Sequence, residues 1–261
     1  MKSWLLRSAS GIVYVGIIVG SIFWGIYPFT LVAILFGVLA VFELEKICEG
    51  ISENSLPTTL LDAAGIVAIC FFWQVFPLII WLFVYLGRII LELYLRNPRP
   101  IRCLAISLMS QIYIGLPLGL MTVIGFMQGL HFILAIFLMI WINDTGAFLV
   151  GSSIGKHRLF ERISPKKSWE GSIGGGVVAL ASAFALGYFF PFMTYTEWAG
   201  LAIVTVIFGT WGDLTESLMK RQLGVKDSGS FFPGHGGMLD RFDSSLLAIP
   251  AAVIYLYCLV F

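Results

Sequence analysis

The chain has 261 residues, 59% of them hydrophobic and 12% charged, with a formal net charge of +1. A mean hydropathy of +0.93 argues for an integral membrane protein and against a soluble domain. Cys48, Cys70, Cys103 and Cys258 are scattered without a C-x-x-C pair, so neither a disulfide framework nor a zinc site is suggested.

The N-terminal flank carries Lys2 and Arg7, as a signal peptide would. The apolar run behind it continues without a cleavage site, so it is expected to stay as a first span. Apolar runs follow in chain order, and the expected fold class is all-α, a polytopic helical bundle of about nine transmembrane helices (range eight to ten). They are placed near 10–26, 29–43, 60–73, 76–94, 103–121, 131–149, 171–190, 198–216 and 245–260. Several fall short of the about 20 residues that a perpendicular span needs. With the N-terminus inside and nine spans threaded, the outer connections contain no Lys or Arg, and all 16 basic residues fall on the inner side or in the inner half of a span. Basic residues favour the cytoplasmic face, so an N-in, C-out orientation is expected. Residues 1–130 read as scaffold or dimerisation spans, and 131–261 as catalytic spans with cytoplasmic loops at 151–170 and 217–244.

Polar residues concentrate in a few inner segments. The stretch from Glu43 to Asp62 is acidic, and that from Arg88 to Arg102 is basic. Arg88 and Glu92, four residues apart within a span, are expected to neutralise each other. Asp144 interrupts an apolar run between Asn143 and Thr145, and an intramembrane carboxylate is a functional hypothesis by default. Asp213, Glu216, Ser217 and Lys220 share one helical face at i, i+3, i+4 and i+7. Asp240 and Asp243 repeat the i, i+3 spacing before the last span. Carboxylates at the ends of successive helices can converge on a hard cation such as magnesium. The alternative is a helix-end ion pair, for example Asp240 with Arg241 or Lys220. Glycines in Pro233-Gly234-His235-Gly236-Gly237 allow an anion-binding nest of backbone N–H groups. His235 either donates to a phosphate or fixes that loop. Lys220, Arg221, Lys226 and Arg241 suit phosphate oxygens, although a positive-inside flank would place some of them there anyway.

The 27-residue stretch from Ser217 to Asp243 contains Ser-x-x-Lys-Arg, then Lys226-Asp227, then Pro-x-His-Gly-Gly-x-x-Asp-Arg-x-Asp. It resembles, without departure, the signature of the phosphatidate cytidylyltransferases, or CDP-diacylglycerol synthases. Upstream, Asp144-Thr145-Gly146-Ala147 and Ser164-Pro165-Lys166-Lys167-Ser168-Trp169-Glu170-Gly171 resemble two further elements of that family. The resemblance covers residues 141–243 well, while the first 130 residues match only as generic spans.

The resemblance implies transfer of the cytidylyl group of CTP to phosphatidate, giving CDP-diacylglycerol and pyrophosphate for phospholipid biosynthesis. It implies Asp213, Asp240, Asp243, Lys226 and His235 as catalytic residues. Lys166, Lys167, Ser217, Lys220, Arg221, Gly236, Gly237 and Arg241 would bind substrate. Magnesium would sit on Asp213, Asp240, Asp243 and Asp144, with room for a second cation. Expected partners are CTP, phosphatidate, membrane lipids and a second copy of the chain in a homodimer, but no nucleic acid. The expected location is a bacterial inner membrane with the site facing the cytoplasm. Two other readings stay open: a CTP-dependent nucleotidyltransferase acting on another lipid phosphate, and a cation-coupled transporter using Asp144 and Asp213. Against the transporter, polar residues gather at one membrane face and not along a path at mid-depth. P-loop, G-x-S-x-G and H-E-x-x-H motifs are absent, which gives no support to ATPase or hydrolase chemistry.

Overall fold

A computed structural model of the protein describes residues 2–231 and 236–260, with side chains from residue 10 onward. The apolar runs fold as helices: α1 (Lys2–Trp24), α2 (Ile26–Ile47), α3 (Leu56–Ile69), α4 (Val75–Tyr94), α5 (Pro100–Met109), α6 (Leu116–Met127), α7 (Leu130–Ile154), α8 (Trp169–Phe189), α9 (Tyr195–Gln222) and α10 (Leu239–Tyr255). A π-helical segment, Ser110–Gly115, joins α5 to α6 in one continuous run, Pro100–Met127. Pro117 has no N–H to offer the preceding turn, which is where the ladder slips to the wider spacing. Among the described residues, seven helices are long and apolar enough to cross a membrane, and two shorter apolar helices, Ser10–Trp24 and Leu56–Ile69, accompany them. The protein is thus a polytopic helical membrane protein.

Several helices outrun the apolar stretch that announced them. The eighth expected span, 198–216, extends as α9 from Tyr195 to Gln222. Its charged last turns remain helical because Glu216 and Lys220, at i and i+4, pair at 2.9 Å. Gly129 separates α6 from α7 with φ of +109°, a backbone angle that only glycine adopts cheaply. α3 starts at a capping box in which Ser55 and Thr58 exchange hydrogen bonds. Residues 151–170 are more ordered than a loop. Strands β1 (Arg158–Phe160) and β2 (Ser164–Ser168) form an antiparallel hairpin.

The chain divides into two compact units, one running to Leu130 and including Gln222–Phe242, the other comprising His131–Arg221 and the chain from Asp243 onward. The 222–242 segment therefore groups with the N-terminal spans.

In the first unit α2 packs against α1, α3 and α6. Leu118 and Ile66 press on Gly37, where a β-carbon would lie about 2.6 Å from Ile66 Cγ2. α4 is inverted relative to a soluble helix: its buried residues are Arg88 and Glu92, while Phe76, Ile79 and Phe83 are exposed, as suits a surface solvated by lipid. Arg88 Nη1 meets Glu92 Oε2 at 2.6 Å, and its Nε meets Asp62 Oδ2 at 3.4 Å. The expected Arg88–Glu92 neutralisation is present, widened by Asp62. In the second unit α7 and α8 cross where Gly146 and Gly175 meet: a β-carbon on Gly146 would lie 3.1 Å from Gly175 Cα. α9 and α10 approach at Gly212, where a β-carbon would lie 3.0 Å from the Ser244 carbonyl oxygen.

Candidate active site

The second unit gathers three aspartates from three helices. Asp144 projects from α7, Asp213 from α9 and Asp243 from α10. The missing side chain at Gly212 lets α9 lie against the backbone of Asp243 and Ser244, so Asp213, the next residue, comes close to Asp243. The Asp243 carboxylate lies in the fields of Asp213, Asp144 and Lys167, and its Oδ1 accepts the Ser244 N–H at 2.6 Å. Asn143 Nδ2 donates to Asp144 Oδ1 at 3.4 Å. Ser217 Oγ donates to Asp213 Oδ1 at 3.3 Å, so the shared helical face read from the spacing is realised.

Lys167 enters this set from β2 and forms an ion pair with Asp213 Oδ2. Its strand is fixed locally. Ser168 Oγ caps α8 by accepting the Gly171 N–H at 3.1 Å. Glu170 accepts the N–H groups of Lys156 and His157 and meets His157 Nδ1 at 2.6 Å, so the Ser-Trp-Glu-Gly stretch closes the hairpin on α8. Lys166, on the opposite side of the strand, is exposed. Arg221 is exposed too, with its Nε donating to the Ile163 carbonyl at 3.3 Å. Lys220 is taken up by Glu216.

In the first unit the signature loop folds around Asp240. Its Oδ2 accepts the Ser228 N–H at 2.9 Å, the Ser228 hydroxyl at 3.0 Å and the Gly237 N–H at 2.7 Å. Gly236 has φ of +80°, and a β-carbon there would strike Asp240 Oδ2, so conformation and space both require glycine. The Arg241 carbonyl accepts the Tyr14 hydroxyl at 3.0 Å. Lys226 is exposed. His235 lies outside the described residues. Sequence reasoning missed Glu43, whose carboxylate accepts the N–H groups of Met238 and Leu239, each at 2.9 Å. Its only sequence signal was membership of an acidic segment.

Among the described residues, no three His, Cys, Asp or Glu side chains already close on one point as a metal cage. The chemistry of Asp144, Asp213 and Asp243 still fits a hard divalent cation. The donors are all carboxylate oxygens, and Lys167 pairs with Asp213 and acts on Asp243 as well.

Carboxylates within apolar helices, with a lysine-bearing hairpin beside them, define a helical membrane protein with a polar site. The profile of the Cytidylyltransferase family matches residues 5–259, and the chain belongs to that family. It is 46% identical over 160 residues to the phosphatidate cytidylyltransferase of Staphylococcus aureus strain COL. To the proteins of the same name from Staphylococcus haemolyticus and Staphylococcus epidermidis it is 45% identical over 162 residues and 42% identical over 161. Each match spans 58% of this chain and 58% of the relative's length.

Proposed function

We propose that the protein transfers the cytidylyl group of CTP to phosphatidate, forming CDP-diacylglycerol and releasing pyrophosphate. The observation that carries this reading is the set of Asp144, Asp213 and Asp243 with Lys167 on Asp213, in a chain of the Cytidylyltransferase family. A phosphatidate phosphate oxygen attacks the α-phosphorus of CTP. The bond from that phosphorus to the oxygen bridging to the β-phosphate breaks, and pyrophosphate leaves with its electron pair. The phosphate monoester is already ionised near neutral pH, so neither a protein nucleophile nor a strong base is needed.

The oxygens of Asp144, Asp213 and Asp243 would hold magnesium, which when bound supplies charge neutralisation for the departing pyrophosphate. Lys167 bonds phosphate oxygen directly once substrate competes for it, and Ser217 keeps the Asp213 carboxylate turned to the set. The resemblance assigns Lys166, Lys220, Arg221, Lys226 and Arg241 to phosphate oxygens as well. Asp240 shapes the signature loop from within. The proposed location is a bacterial inner membrane with this chemistry on the cytoplasmic side, where CTP is found.

The test is production of CDP-lipid and pyrophosphate by detergent-purified protein given CTP, magnesium and phosphatidate. Wild-type protein should give both products in equal amounts, and Asp213→Asn should cut turnover by roughly 100-fold or more. A folded, magnesium-replete wild-type sample that forms no CDP-lipid would overturn the reading.

A further inference from the structure

We infer that Glu43, near the end of α2, is a positioning residue for the signature segment; its catalytic meaning rests on the proposed cytidylyl transfer. One carboxylate gathers three donors that lie almost two hundred residues away in sequence. Oε1 accepts the Met238 N–H at 2.9 Å. Oε2 accepts the Leu239 N–H at 2.9 Å and the Ser228 hydroxyl at 3.1 Å. The Met238 and Leu239 amides stand at the start of α10, where no preceding carbonyl of the helix can take them. A carboxylate placed there satisfies them and complements the positive end of the helix dipole.

Ser228 links this anchor to the second carboxylate of the loop. Its hydroxyl sits 3.1 Å from Glu43 Oε2 and 3.0 Å from Asp240 Oδ2. Glu43 and Asp240 thus hold opposite sides of one loop, with backbone N–H groups from Ser228, Gly237, Met238 and Leu239 as their donors. The loop is shaped to Glu43: a β-carbon on Gly229 would lie 2.5 Å from Glu43 Oε1, and one on Gly237 would collide with Oε2. Two glycines and three donors fitted to one side chain is more than a passing contact. The turn they fix opens the helix that carries Asp240 and Arg241, so its pitch sets where those side chains project.

The experiment compares full-length wild type, Glu43→Gln and Glu43→Ala in detergent, by hydrogen exchange over residues 236–240 and by steady-state turnover of CTP with phosphatidate. Glu43→Ala should speed exchange at those amides by about tenfold while the exchange of other helices is unchanged. It should lower kcat by about tenfold or more with the KM for CTP held within about twofold, the signature of misplaced groups and not of a general loss of binding. Glu43→Gln, which keeps one acceptor oxygen, should recover part of both effects, and it carries the comparison alone if Glu43→Ala does not fold. Unchanged exchange overturns the anchor. Faster exchange with full turnover, or a loss that Gln does not begin to rescue, overturns the positioning role. If wild type turns over no CTP, the proposed function falls, and the exchange comparison then decides Glu43 by itself.

Discussion

At the scale of single residues, the Lys167–Asp213 ion pair joins two motifs more than forty residues apart in the chain. Each partner was legible in the sequence, Asp213 from its helix-end spacing and Lys167 from the Ser-Pro-Lys-Lys stretch, but their pairing was not, because it depends on how the hairpin closes on α8. The pair makes a specific prediction. Lys167 pairs with a carboxylate at rest, and in the proposed reaction it would meet phosphate, so Lys167→Ala should reduce kcat/KM for CTP by about tenfold to 100-fold. Lys166 shares its strand, yet it is exposed, and Lys166→Ala should cost several-fold less in the same assay. Equal losses would show that the two lysines act as an undifferentiated basic patch. Glu43 and the Ser228–Asp240 contacts were illegible for a different reason: nothing local in a sequence marks a side chain whose donors are backbone amides of a distant turn. By contrast Cys48 and Cys70, unremarkable as sequence, are both free and buried, and at Cys48 burial pushes the thiol up to about 11, which disfavours the thiolate.

At the scale of helices, hydropathy located the spans well and their ends poorly, since a helix end depends on caps and ion pairs that an apolar window does not see. The polar core of the first unit shows the same limit. The i, i+4 spacing announced Arg88 with Glu92, but Asp62 from α3 and the Asn54 side chain, at 3.5 Å from Nη2, enter only through packing. Ser107 Oγ also donates to Asp62, and Gln111 Nε2 donates to the Asp62 carbonyl at 2.9 Å, so α3, α4 and the α5–π segment are stitched through one site. Arg88 is fully buried. Replacing it with Met would leave Asp62 and Glu92 facing each other without their cation, an arrangement that costs about 3–5 kcal/mol when one partner of a buried pair is removed. Arg88→Met should therefore lower the thermal midpoint of the detergent-solubilised protein markedly. An unchanged midpoint would mean that the pair contributes nothing net to stability. Nothing in the proposed chemistry touches this site, so any loss of activity should follow the loss of folded protein.

At the scale of the whole chain, the helices sharpen the charge argument about orientation. The connections after α1, α3, α6 and α8 are short and contain Gly25, residues 70–74, residues 128–129 and residues 190–194, none of them Lys or Arg. The connections after α2, α4, α7 and α9, with the helix ends beside them, carry the basic residues. This alternation survives the replacement of hydropathy windows by observed helix ends. It rests on α3 crossing, although at 14 residues and about 1.5 Å per residue it is only about 21 Å long, short of the about 30 Å hydrocarbon core. If α3 crosses, a reporter fused after residue 261 should lie on the side opposite to one fused at the N-terminus, with the N-terminus cytoplasmic. In a bacterial host, alkaline phosphatase should be active at the C-terminal fusion, and a fluorescent protein that matures only in the cytoplasm should shine at the N-terminal one. If α3 instead turns back within the bilayer, the parity changes and both reporters report the same side. Charge argues for crossing: with the N-terminus cytoplasmic, a re-entrant α3 would send both the 95–99 connection with Arg96 and Arg99 and the 155–168 hairpin with Lys166 and Lys167 to the outer face, away from the nucleotide that the proposed reaction consumes.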